Sequence, residues 1–126
     1  GEDFSPCIRG EGSPPSDAAL LACYVPFGEY PRARGGYEYR GLRTTRHTYV
    51  RSLEGPALLF DNDSDPYQRN NLCGGAEHAA LQRDLDGRLQ EKMAAAGDAF
   101  LKAEDYIARW GYAVNENLTV PYHSKM

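Results

Sequence analysis

Three carboxylates recur at alternate positions in Asp61-Asn62-Asp63-Ser64-Asp65, a spacing that could wrap a calcium ion. A helix–loop–helix calcium site also needs glycine at its sixth position and a bidentate glutamate at its twelfth. Those positions hold Pro66 and Leu72. The segment is therefore expected to form an Asx-type turn whose carboxylates bond local backbone. His47, His78 and His123 form neither an i,i+4 pair nor an HExxH motif, so none is assigned to a metal. Cys7, Cys23 and Cys73 are an odd number with no CxxC pair, which supports neither a zinc knuckle nor a disulfide framework. One disulfide with a free thiol and three small buried thiols both stay open. No GxSxG nucleophile elbow is present, and Gly35-Gly36 and Gly74-Gly75 are isolated pairs rather than a phosphate loop. Asn62-Asp63-Ser64 and Asn117-Leu118-Thr119 match the glycosylation triplet, a match that arises often by chance. No catalytic residue and no metal ligand is assigned.

Charge is the stronger signal. The chain carries a net −4, yet Arg32, Arg34, Arg40, Arg43, Arg46 and Arg51 fall within twenty residues against a single acid, Glu38. Guanidinium is suited to bidentate recognition of oxyanions. Two readings stay open: arginines alternating along a strand that simply face water, or a local anion-attracting surface. Nucleic acid is not an expected partner, because the whole chain is acidic and none of the usual nucleic-acid modules is recognisable.

The elements that must position these arginines follow from composition and period. The chain has 126 residues, 41% hydrophobic and 25% charged, a balance that suits one globular domain rather than a disordered chain. No run of about 18 apolar residues exists, so no membrane partner is expected. Residues 1–17, rich in Gly, Pro, Ser and acids, read as a connecting arm, and residues 18–126 as one subdomain. Residues 18–25 are a short apolar run stopped by Pro26, consistent with a buried strand. A long shaped loop follows to Gly36. Tyr, Thr, Val and Arg then predict strands over about 37–44 and 47–52, with no Gly or Asn in the turn between them. Leu53-Glu54-Gly55-Pro56 is a turn, and residues 57–61 a third strand of an antiparallel meander. Leu81, Leu85, Leu89 and Met93 recur every four residues and predict an amphipathic helix capped by Gly97, with Gly87 weakening its middle. A shorter helix is predicted over roughly 99–110, then an extended tail from Gly111. The fold class is α+β: a small antiparallel sheet of three to four strands against a C-terminal amphipathic helix.

One ordered series of segments is more specific than any of these features. Tyr39-Arg40-Gly41-Leu42-Arg43-Thr44-Thr45-Arg46-His47-Thr48-Tyr49-Val50-Arg51 is followed by Gly55-Pro56-Ala57-Leu58-Leu59-Phe60-Asp61, then by Asp65-Pro66-Tyr67-Gln68-Arg69-Asn70-Asn71-Leu72 and the leucine-striped helix. This succession resembles the C-terminal region of sulfatases: an Arg-x-x-Arg-Thr strand, a Tyr-rich strand, a Leu-(Phe/Tyr)-Asp strand and Asp-Pro-x-(Glu/Gln)-x-x-Asn-Leu before a long helix. Residues 1–10 resemble the family's G-x-D-x-S-P-x-(I/L)-x-G segment. The tail from Trp110-Gly111-Tyr112 to Thr119-Val120-Pro121-Tyr122 resembles the ending of some bacterial members.

The resemblance implies a sulfuric ester hydrolase in which a formylglycine, made from Cys or Ser in Cys/Ser-x-Pro-x-Arg, works beside a divalent cation, commonly calcium. None of the three cysteines here stands in that motif, and the family's paired aspartates are absent. No catalytic or metal residue is therefore carried over, and the chain alone is expected to be inactive. Its expected partner is the N-terminal catalytic domain of a parent enzyme. Arg40 and Arg43, beside the long Gly/Pro loop, are the candidates for the rim that meets sulfated carbohydrate; ion pairing with the parent domain is the competing role. A non-catalytic module binding sulfated or acidic glycans, and the same region of a phosphate or phosphonate ester hydrolase, are the alternatives. Family members are often exported, so the resemblance leans toward a periplasmic or extracellular setting. Truncation from a larger domain should leave an exposed apolar patch above a few hundred Å².

Overall fold

Alternation along four short strands divides the apolar residues between two faces of one sheet. The computed structural model describes residues 2–121; Gly1 and residues 122–126, His123 among them, lie outside the described residues. The strands are β1 (Ala18–Cys23), β2 (Tyr39–Thr44), β3 (His47–Ser52) and β4 (Gly55–Asp61), paired antiparallel in chain order. A single helical turn, α1 (Ser5–Ile8), sits in the N-terminal arm, and two further helices, α2 (Ala79–Ala95) and α3 (Ala103–Trp110), follow the sheet. The α+β meander predicted from the sequence is the fold observed. Among the described residues no helix is long and apolar enough to cross a membrane.

The core lies between one sheet face and α2. Leu20, Leu42, Tyr49 and Leu59 pair across all four strands in register and meet Leu85, Leu89 and Met93. Leu42, Tyr49, Leu59 and Leu89 have no exposed surface. Each such side chain contributes about 1.5–3 kcal/mol through removal from water. The four-residue leucine period of α2 thus does structural work. Its place is fixed by Asp86, which accepts from the Tyr49 hydroxyl (2.7 Å) and from Arg51 Nη1 (2.7 Å).

Three local devices supply what the sequence lacked. The β2–β3 turn has no glycine, and the Thr44 hydroxyl closes it by accepting from the Arg46 (3.2 Å) and His47 (2.8 Å) amides. The free edge of β4 is blocked by Asn71. Its Oδ1 accepts from the Leu59 (2.9 Å) and Cys73 (3.0 Å) amides, and its Nδ2 donates to the Ala57 carbonyl (3.0 Å). At the end of α2, Gly97 takes φ +65°, and the Asp98 amide donates back to the Met93 carbonyl (2.9 Å).

Boundaries differ from expectation where side chains intervene. β1 ends at Cys23, which pairs with Tyr39, the first residue of β2. β4 starts at Gly55, already paired with Ser52. The last helix begins at Ala103 rather than near 99. The Asp98 carboxylate takes the Phe100 amide (2.9 Å), Phe100 adopts φ +46°, and Lys102 is extended. Glu38 from the sheet side then accepts the Ala103 amide (2.6 Å) and caps α3.

Candidate functional site

The six clustered arginines resolve into two groups by the carboxylates they meet. Arg32 pairs with Glu38 (2.6 Å) and Glu104 (3.0 Å), Arg46 with Asp61 (2.7 Å), and Arg51 with Asp86 (2.7 Å). Arg40 pairs with Asp98, and Arg34 meets exposed Glu29 at 3.4 Å. Arg43 has no carboxylate partner among the described residues; its Nη1 donates to the Thr48 hydroxyl at 2.8 Å.

Arg40 and Arg43, expected together at a rim, project from opposite faces of β2. Arg40 has no exposed surface. Its Nε and Nη2 donate to the Asp98 carboxylate, and Nη2 also reaches the Tyr106 hydroxyl (3.1 Å). Nη1 donates to the Cys23 (3.1 Å) and Tyr39 (2.9 Å) carbonyls. All five N–H groups are thereby used. The guanidinium also lies 3.9 Å from the Tyr24 ring centroid and 4.7 Å from that of Phe100. Burial alone would raise the Asp98 carboxyl. The bonds from Arg40, the Phe100 amide and the Tyr106 hydroxyl outweigh it and hold the group down at about 2. Arg40 thus ties β1, β2 and α3 together. A guanidinium so enclosed can meet an outside anion only by breaking its pair with Asp98.

Arg43 stands on the other face, against which no helix packs among the described residues. There Leu21, Gly41, Val50 and Leu58 pair in register across the sheet. A Cβ at Gly41 would come within 2.9 Å of the Tyr49 carbonyl and 3.2 Å of Val50, so glycine lets the strands lie close at the middle of this row. Leu21, Cys23, Tyr30, Tyr39, Val50 and Leu58 line an open groove of about 770 Å³. Phe27, at its edge, is 60% exposed. The long Gly/Pro loop forms one wall through Tyr30 and Tyr37, whose ring centroids stand 5.9 Å apart. Arg43, two residues along β2 from Gly41 and on the same face as the groove, is an exposed guanidinium with no carboxylate among the described residues.

The polar neighbours of Arg43 were not singled out by the sequence. Thr48 is buried, and its Oγ1 also receives Gln68 Nε2 (3.0 Å) and Asn62 Nδ2 (3.1 Å). Gln68 Nε2 additionally donates to Asn62 Oδ1 (2.8 Å). Gln68 holds φ +52°. The only earlier signal for it was its place in the Asp-Pro-Tyr-Gln segment.

The remaining candidates are structural. Asp61 is held well below the usual carboxylate range, chiefly by hydrogen bonds from Arg46. Its Oδ1 also accepts the Asp63 amide (3.2 Å), and Asp65 Oδ2 accepts the Asn70 amide (2.8 Å). The segment is the Asx-type turn expected. For calcium, implied by the family resemblance, no three His, Cys, Asp or Glu side chains converge on one point among the described residues. Cys7, Cys23 and Cys73 are free and half-buried, and burial raises the Cys23 and Cys73 thiols. His47 lies half-buried on β3, and His78 sits beside exposed Glu77 at the start of α2.

Comparison with known proteins fits this arrangement. No family model matches the chain. It is 40% identical over 124 residues to an ulvan-active sulfatase of Formosa agariphila, covering 97% of this chain and 24% of that protein. It is 32% identical over 93 residues to an N-acetylglucosamine-6-O-sulfatase of Bacteroides thetaiotaomicron, covering 72% of this chain and 16% of that protein. Among solved structures, one provisionally assigned as a sulfatase from Bacteroides thetaiotaomicron shares the fold (TM-score 0.60, 21% identity, 85% of this chain and 21% of that one). Another, solved with its substrate D-glucosamine-2-N,6-O-disulfate, matches with TM-score 0.59 and 26% identity over 75% of this chain and 19% of that one. The chain spans at most about a quarter of the length of these relatives. It is a C-terminal sulfatase region.

Proposed function

We propose that this chain completes the fold of a sulfuric ester hydrolase and shapes its substrate entrance, while the nucleophile and metal ligands belong to a preceding catalytic domain. The carrying observation is the uncovered sheet face. Leu21 and Leu58, half-buried on either side of buried Gly41 and Val50 and flanked by Tyr30, Tyr37 and Tyr39, offer an apolar surface that the catalytic domain would bury. Arg43 lies on that same face, where it can attract the sulfate or carboxylate of an acidic sugar. The curated relatives act on sulfated carbohydrate by their names, which supports that substrate class here. Arg40 acts from behind as the strut that holds β1, β2 and α3 in place.

The chain alone, incubated with a chromogenic aryl sulfate and calcium, is expected to give no turnover. Measurable turnover would refute the assignment of the chemistry to another domain. The reading as a free-standing glycan-binding module draws less support, because five of the six clustered arginines already meet carboxylates. Strong retention on heparin that persists after Arg43→Ala would favour it.

A further inference from the structure

We infer that Gln68 is a positioning residue: with Asn62 it satisfies the buried Thr48 hydroxyl, leaving Arg43 free to exchange that hydroxyl for an anionic oxygen of a sulfated or carboxylated sugar. The inference rests on the rim role proposed for Arg43. Three N–H donors converge on Thr48 Oγ1: Arg43 Nη1 at 2.8 Å, Gln68 Nε2 at 3.0 Å and Asn62 Nδ2 at 3.1 Å. A hydroxyl oxygen has two lone pairs, so one donor is surplus. Arg43 is the exposed member of the three, whereas Thr48 is buried. When Arg43 swings away, Gln68 and Asn62 still satisfy the threonine, and no buried acceptor is stranded. Release of the guanidinium is therefore nearly free, and the anion need not compete against a buried polar group. Such a site is preorganised by its supports rather than by the ligand.

The backbone points the same way. Gln68 carries φ +52°, a conformation that favours glycine. The Asp65 turn holds it there: the Gln68 amide donates to the Asp65 carbonyl (3.0 Å), and Asp65 Oδ2 takes the Asn70 amide (2.8 Å). The Gln68 side chain is thus held by the turn at a strained backbone position from which it meets Thr48. It reaches Thr48 and Asn62 and nothing else among the described hydrogen bonds.

The test titrates the full chain with a heparin-derived tetrasaccharide at low salt and follows the Arg43 Nε–Hε resonance by NMR. In the parent sequence that resonance should shift saturably. Arg43→Ala should weaken binding by tenfold or more on the order expected for a charged contact; unchanged affinity would sink the rim reading itself, and this inference with it. Gln68→Gly, compatible with the backbone, should weaken binding about fivefold because Thr48 then retains Arg43. Adding Thr48→Val to Gln68→Gly should restore the lost affinity by removing the competing acceptor. Loss with Arg43→Ala but parent-like affinity in Gln68→Gly would overturn the positioning role while leaving the rim reading intact. Failure of Thr48→Val to rescue would also overturn it, since a purely structural Gln68 gives no such reversal.

Discussion

Arg40 and Arg43, three residues apart on one strand, face opposite sides of the sheet, one sealed against Asp98 and the other exposed beside an open apolar groove. Their consequences for stability should differ accordingly. Asp98→Ala strands the Arg40 charge in the interior and should cost about 3–5 kcal/mol. Arg43→Ala removes an exposed contact and should cost less than about 1 kcal/mol. Urea unfolding of the two variants reads both numbers.

Stability should fall in acid through the same buried pair. The Asp98 carboxyl sits at about 2 in the folded chain, below its ordinary value, because the bonds from Arg40, Phe100 and Tyr106 overcome burial. A depressed carboxyl stabilises the fold above its unfolded pKa and loses that contribution as pH drops through the folded one. About 2 kcal/mol should therefore disappear between roughly pH 4 and pH 2. Glu38 is shifted down as well, against its own burial, by the Ala103 amide and Arg32, and adds in the same direction. Urea midpoints across this range should fall in the parent sequence and fall less steeply in Asp98→Asn.

The two sheet faces should respond differently to truncation. Leu42→Ala opens a cavity opposite α2 and should cost about 2–5 kcal/mol. Leu21→Gln, on the uncovered face, should cost less than about 1 kcal/mol in this chain and reduce binding of an apolar dye. Equal losses at both positions would mean that the second face is already covered.

Gly87 lies on the exposed side of α2, and a Cβ there meets nothing within 4 Å. Gly87→Ala should raise the unfolding free energy by about 0.5–1 kcal/mol. A thermal melt would register this as a higher midpoint.

Much of the architecture was legible because period and hydrophobicity specify it. The leucine stripe of α2 marked the helical side of the core, and the Tyr, Thr and Val content of residues 37–52 marked β2 and β3. What stayed hidden depends on contacts between segments far apart in the chain. Asp98 and Glu38 set the start of α3 through side-chain bonds to the Phe100 and Ala103 amides, which moves that boundary past the expected position near 99. Arg40 and Arg43 look alike in sequence. Only strand parity and the partner at position 98, 58 residues from Arg40, separate the enclosed guanidinium from the exposed one. The convergence of Gln68, Asn62 and Arg43 on Thr48 is encoded by no local pattern.

Reading the coding sequence upstream of this chain tests the central claim most directly. An in-frame continuation carrying Cys/Ser-x-Pro-x-Arg and a paired aspartate is the result this account expects. A continuation without that motif, or a start codon placed so that the motif has no room, would contradict it.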